Sequence, residues 1–173
     1  KNKSITIGNL SVLPFSKSHD AADPHSFMIS GHGVNIGIIT DIGYACKHVI
    51  KYFRQCHAVF LESNYCTDML ANGNYPYHLK QRISGDEGHL SNAQALDLFI
   101  NYKSPDLQLL ILSHLSKNNN KPELVQKLFA PHAGSTKIII ASRYEPTPVF
   151  HIQSGAVMLP FQPKQKRVKH QTQ

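Results

Sequence analysis

The sequence predicts an α/β fold, one β-sheet with helices on at least one face. Three observations carry that prediction. Short apolar runs recur at Ile36–Asp41, Ala58–Glu62 and Leu107–Leu112, each of a length suited to a buried strand. Between them lie segments with helical spacing of apolar residues, so strands and helices alternate along the chain. The chain has 173 residues, 41% of them hydrophobic, which suffices for one domain with a real core and is marginal for two.

Taken in order, residues 3–8 and 10–15 read as two short strands joined by a turn at Gly8-Asn9. Leu13-Pro14-Phe15 leads into a loop, Ser16–Pro24, that carries His19 and Asp20. Phe27–Ser30 and Asn35–Asp41 form the arms of a hairpin around the glycine-rich Gly31-His32-Gly33. From Tyr44 to Gln55 the apolar residues fall near i, i+3/i+4 spacing, and basic Lys51 and Arg54 close the segment as a helix dipole prefers. After the strand Ala58–Glu62, the stretches Ser63–Met69 and Tyr75–Ile83 read as short helices broken at Asn72-Gly73-Asn74. Ser84–Asn92 is a loop, and Ser91 or Asn92 caps a helix over Ala93–Tyr102. The strand Leu107–Leu112 delivers His114. Pro122 stands at the first position of a helix running through Phe129, and strands at Lys137–Ala141 and Val149–Ile152 complete the pattern.

Composition narrows the class further. No apolar run reaches the ~18 residues that span a bilayer, and the start, Lys1–Ile7, lacks the apolar core of a secretory signal. Three cysteines, Cys46, Cys56 and Cys66, cannot close a disulfide framework, and their spacing is not that of a zinc knuckle. This leads to an expectation of small semi-buried thiols in a reducing, cytoplasmic setting. The net charge of +7 suits a polyanionic partner such as nucleic acid. Part of that charge sits in Lys164, Lys166, Arg167 and Lys169, expected to be a solvated tail.

Chemistry is expected where polar residues end apolar runs. Asp41 follows a buried strand in Ile36-Gly-Ile-Ile-Thr-Asp-Ile-Gly43; His19 lies upstream and His114 lies just past another strand. One carboxylate and two imidazoles at strand ends suit a divalent metal. The same residues also serve as helix caps and loop hydrogen-bonders in ordinary structure. Glu62 ends the next strand and is placed to orient a ligand or a catalytic histidine. His89, between Gly85-Asp-Glu-Gly88 and Leu90-Ser-Asn92, is placed to donate a proton to a leaving alkoxide. Lys80 and Arg82 suit a phosphate, or simply a solvated helix face. There is no P-loop, no Gly-x-Ser-x-Gly elbow and no Cys-x-x-Cys pair.

Six blocks together carry a resemblance. They are Phe15-Ser-Lys-Ser-His-Asp-Ala-Ala-Asp-Pro24, Thr40-Asp-Ile-Gly43, Leu61-Glu-Ser-Asn64, Tyr75-Pro-Tyr-His-Leu-Lys-Gln-Arg-Ile83, Gly88-His-Leu-Ser-Asn92 and Ser113-His-Leu-Ser116. In order and approximate spacing, over most of residues 5–130, they resemble metallo-β-lactamase-fold hydrolases of the YycJ/WalJ type, relatives of tRNase Z and RNase J. The resemblance implies the C-terminal part of an αββα sandwich, with residues 1–163 an incomplete domain of that fold and 164–173 a basic, disordered tail. It implies that His19, Asp41 and His114 are metal ligands, with Asp41 bridging two ions of zinc or manganese. His89 would act at the scissile phosphate, with Glu62 beside it, and Lys80, Arg82 and Asn92 would meet the substrate. The implied activity is that of a metal-dependent phosphodiesterase, a DNA exonuclease.

The family's His-x-His-x-Asp-His signature does not occur in this sequence. In the family it belongs to a segment preceding the region matched here. The expectation is therefore a chain that lacks part of the ligand set, holds one metal loosely or none, and is inactive alone. Missing strands would leave a sheet edge or apolar face open to self-association. His25, His32 or Glu87 would have to complete the site if the chain were active by itself. Two other readings stand beside this one: ester or thioester hydrolysis, since the fold also handles acyl substrates, and a non-catalytic module that binds nucleic acid through its basic surface.

Overall fold

A computed structural model describes residues 3–155. Seven strands form one sheet in which spatial order follows chain order. The first four are β1 (Ile5–Ile7), β2 (Leu10–Ser16), β3 (His25–Gly31) and β4 (Val34–Ile39), an antiparallel meander. The turn between β3 and β4 places His32 and Gly33 at φ 51° and 75°, the left-handed pair that a tight hairpin requires. From β4 onward the sheet is parallel through β5 (Ala58–Glu62), β6 (Leu109–Ser113) and β7 (Lys137–Ile140).

Parallel neighbours need crossovers, and helices supply them. The helices are α1 (Lys47–Phe53), α2 (Thr67–Asn72), α3 (Tyr77–Ser84), α4 (Asn92–Tyr102) and α5 (Pro122–Phe129). The strand order advances one position at each crossover, and same-handed crossovers in one direction must lie on one face of the sheet. Accordingly Val49 and Phe53 of α1, Leu98 and Phe99 of α4, and Val125 and Phe129 of α5 share one core with Phe15, Ile39, Leu61, Leu110 and Leu112 of the sheet. Ser91 caps α4 through a reciprocal box with Gln94, and Pro122 occupies the first turn of α5.

The registers put Ile5, Val12, Ile29, Ile36, Ala58 and Leu109 on the opposite face, in one row across the strands. Among the described residues no helix covers this row, and Phe150 and Ile152 pack at its centre near Ala58, Leu109 and Ile111. Towards its antiparallel edge Ile5 and Ile7 are 60% and 62% exposed.

Two expectations change. The strand expected at Val149–Ile152 is not a strand. Only Phe150 and Ile152 of this run are half-buried, Val149 being 86% exposed, and Pro146 and Pro148 just before it supply no N–H for a ladder. The side-chain amide of Gln108 holds this segment instead, donating to the Gln153 carbonyl at 2.6 Å and accepting its N–H at 3.2 Å. The helix expected from Tyr44 begins only at Lys47 because Ile42 is fully buried and Gly43 is pressed against the Asp86 carbonyl, where a Cβ would lie 1.9 Å from the oxygen.

The three cysteines are free, and burial pushes the Cys56 thiol up to about 12. Among the described residues no helix is long and apolar enough to cross a membrane. The basic stretch 164–173 lies outside the described residues.

Candidate metal and acid–base site

Three parallel strands end side by side, with Ile39 opposite Leu61 and Glu62 opposite Ser113. Just past these ends stand Asp41, Glu62 and His114. Asp41 and His114 both adopt left-handed backbone, φ 53° and 58°, which turns each side chain off its strand toward the gap between strands. Such a conformation costs about 1–2 kcal/mol for a residue with a Cβ and concentrates at working sites. Asn64 secures the His114 turn, its amide donating to the His114 carbonyl at 2.7 Å.

Glu62 is the hub. It is fully buried, and its carboxylate is completely engaged. Oε2 accepts the backbone N–H of Ile42 at 2.8 Å and of Leu90 at 3.3 Å. Oε1 accepts Nδ1 of His89 at 2.8 Å and Nδ1 of His114 at 2.7 Å. Burial by itself raises a carboxyl pKa, but these bonds outweigh it and hold Glu62 below the usual value of 4.5. The same bond from Glu62 lifts His114 above its usual 6.5, against the opposing effect of burial.

An ionised carboxylate only accepts, so both histidines carry their proton on Nδ1 and turn Nε2 outward. His19 is fixed the same way, its Nδ1 facing the Gly88 carbonyl at 2.9 Å. Its Nε2 lies 3.8 Å from Asp41 Oδ1 and 3.6 Å from Asp20 Oδ1. The loop of His89 is laced to its surroundings: Asp20 N–H donates to the Glu87 carbonyl, His89 N–H to Ile83, and Asn64 N–H to Leu90. Gly88 permits this, since a Cβ there would meet the Arg82 carbonyl at 2.2 Å.

The ligand-type atoms of Asp41, Glu62, His89 and His114 lie within 4.8 Å of one another. Glu62 has no acceptor capacity left for a metal, so within this group it acts on the histidines. Asp41 differs: its Oδ2 accepts only a long bond from Thr40 Oγ1, at 3.3 Å, while Oδ1 faces His19 Nε2 and the His114 ring. An under-bonded carboxylate between two imidazoles whose tautomers are fixed is a donor set that fits zinc or manganese. Lys17, buried between loop and strand, donates to the Thr40 carbonyl at 2.6 Å. Burial holds its ammonium below the usual lysine range, and the negative charges of Asp41 and Glu62 pull it back up.

The site opens into a cleft of about 540 Å³ lined by His19, Asp41, His89 and His114 together with Arg82, Lys117 and Arg143. The structure thus assembles His19, Asp41, Glu62, His89, His114 and Arg82. Lys80 and Asn92, expected at substrate, stand elsewhere. Lys80 reaches back to the Ala71 carbonyl at 2.6 Å. Asn92 is 6% exposed and exchanges amide hydrogen bonds with Asn120 while accepting from Ser63. None of His25, His32 and Glu87 lines the cleft. Lys17, Asn64, Lys117 and Arg143 were not anticipated as site residues: Lys17 and Asn64 stand in the resembling blocks with no role assigned, nothing local marks Lys117 and Arg143, and loops distant in the chain bring the four together.

With fold and geometry established, comparison with known proteins gives a consistent placement. The chain is 33% identical over 121 residues to exodeoxyribonuclease YycJ of Bacillus anthracis, covering 70% of this chain and 46% of that protein. It is 32% identical over 122 residues to exodeoxyribonuclease WalJ of Streptococcus pneumoniae, covering 70% of this chain and 45% of that protein. It has the metallo-β-lactamase fold, and its sequence is similar to that of the YycJ/WalJ exodeoxyribonucleases. The fold is shared with the metallo-β-lactamase fold protein YhfI of Bacillus subtilis, with a TM-score of 0.60 at 15% identity, covering 81% of this chain and 50% of that one. No protein-family model matches. The chain spans about half the length of the curated relatives it matches.

Two outcomes follow for the metal-free chain. The raised His114 pKa means that its stabilisation is complete below about 6.5 and is lost as pH rises through the folded value. The lowered Glu62 pKa means that its stabilisation is complete above about 4.5 and is lost as pH falls through the folded value. Urea midpoints measured against pH should therefore decline on both sides, and His114→Gln should remove the alkaline decline while leaving the acid one. Asp41→Gly should relieve the left-handed strain, raising unfolding free energy by about 1 kcal/mol in urea melts.

Proposed function

We propose that this chain is the C-terminal part of a metal-dependent phosphodiesterase, a DNA exonuclease as the names of its curated relatives suggest. The observation that carries the reading is the placement of His19, His89, His114 and Asp41 around one cleft whose other charged walls are Arg82, Lys117 and Arg143. Cationic walls suit a phosphodiester and give no advantage to a neutral thioester.

His19, Asp41 and His114 would hold the metal. When bound there, a divalent ion supplies charge neutralisation at phosphate oxygens and activation of water. The residues do the rest. Glu62 accepts the His89 Nδ1 proton and so orients the ring, which is placed to pass a proton to the departing 3′ or 5′ oxygen. Arg82, held by Asp20 at 2.6 Å, and Arg143 orient the phosphate. The three free thiols fit a reducing compartment, the cytoplasm.

Three protein ligands are fewer than a dinuclear site needs. The chain alone is proposed to bind at most one ion, loosely, and to be inert. The test compares metal content and manganese-dependent degradation of DNA for this chain and for one extended upstream to the length of its relatives. The extended protein should carry two ions and cut DNA; there His89→Ala and Glu62→Gln should each lower kcat by about 10²-fold or more with KM little changed. Two bound ions and cleavage by the present chain would overturn the account of the ligand set.

The apolar sheet face and the short edge strand β1 are proposed to support self-association. Sedimentation should show a concentration-dependent dimer that the double substitution Ile5→Lys, Ile7→Lys converts to monomer. A wild-type chain that stays monomeric at every concentration would refute this.

A further inference from the structure

A second cleft, of about 460 Å³, continues from the first past His114 and shares Leu115, Ser116, Lys117 and Arg143 with it. Its character changes along its length. At the junction stand the cations of Lys117 and Arg143, both exposed. Beyond them the lining turns apolar, with Pro122 from the start of α5 and Ile140 and Ala141 from the end of β7. Tyr144 forms the rim and is 82% exposed.

That exposure is held by local structure. The Ser142 hydroxyl accepts the backbone N–H of Tyr144 at 3.0 Å and of Glu145 at 3.1 Å, which fixes the turn carrying the ring. Arg143 donates one Nη2 proton to the Leu115 carbonyl at 2.6 Å, so its guanidinium is anchored across the junction with further N–H groups to offer. An aromatic face over an apolar floor, next to two cations and next to an acid–base site, is what one nucleoside and its phosphate require.

We propose that this second cleft is a nucleoside subsite, in which the base adjoining the scissile phosphate of a single DNA strand stacks on Tyr144 while Lys117 and Arg143 hold the phosphate at the junction. The inference rests on the phosphodiesterase reading and adds to it where the strand lies and how bases are gripped without sequence preference.

Equilibrium binding tests it without catalysis. The probes are a short fluorescein-labelled oligothymidylate and an abasic strand of the same phosphate number, read by anisotropy on the full 173-residue chain. Tyr144→Ala should weaken the thymidylate about tenfold or more and leave the abasic strand unchanged. Tyr144→Phe, which keeps the ring and loses the hydroxyl, should bind as wild type. Lys117→Gln and Arg143→Gln should weaken both strands and each reduce the salt dependence by about one phosphate. Equal affinity of wild type and Tyr144→Ala for the thymidylate, or an equal loss on both strands, would overturn the subsite while leaving the phosphodiesterase reading intact. If wild type binds neither strand, both fall. Tyr144 is a surface side chain, and matching thermal melts of the variant would exclude misfolding as the cause.

Discussion

One buried carboxylate organises the functional end of this molecule. Glu62 is fully buried, so each of its lone pairs must be met by a protein donor or its burial would be prohibitive. Two backbone N–H groups, of Ile42 and Leu90, meet one oxygen, and two imidazoles meet the other. This single requirement ties β5 to the loop after β4, to the loop before α4 and to the end of β6. It also fixes the tautomers of His89 and His114, and through them the atoms that face the cleft.

The strain at Asp41 and His114 belongs to the same arrangement. A strand that simply continued would carry these residues past the site. The left-handed turn brings them back over it, and side-chain donors make the turn tolerable: the Asn64 amide at the His114 carbonyl and the Lys17 ammonium at the Thr40 carbonyl. Behind them, Asn92 and Asn120 form a buried pair whose bonds reach the Ser63 and Asn64 carbonyls. A fully satisfied polar network of this kind confers rigidity that apolar packing of the same loops would not. Such rigidity is what the proposed ligand set needs.

Much of the fold was legible because it follows from local patterns. The runs at β4, β5 and β6, the spacing of α4 and α5, Pro122 and the Ser91 cap all express preferences over a few residues. The misreadings share one cause. Phe150 and Ile152 alternate with exposed neighbours and pack near Ala58, Leu109 and Ile111, and such alternation without ladder partners looks the same in sequence as a strand. Tyr44–Cys46 has helical spacing yet is held out of α1 by the close approach of Gly43 to Asp86, a contact across more than forty residues. At the site, Asp41, Glu62 and His114 were visible as polar residues ending strands. Lys80 and Asn92 had equal claim by position in a motif, and only their partners, the Ala71 carbonyl and the Asn120 amide, place them away from the cleft.

The sequence by itself determined the α/β alternation, the strands that end in Asp41, Glu62 and His114, and the presence of His19 and His89 in glycine- and serine-rich loops. These depend on side-chain periodicity and turn chemistry, which are local. Tertiary structure decided which nitrogen each histidine presents, that Glu62 is a hub whose acceptors are filled, and that Lys117, Arg143 and Tyr144 line a path leading from His114. Those outcomes depend on the register of parallel strands and on which loops meet above them, and neither is encoded within any one segment of the chain.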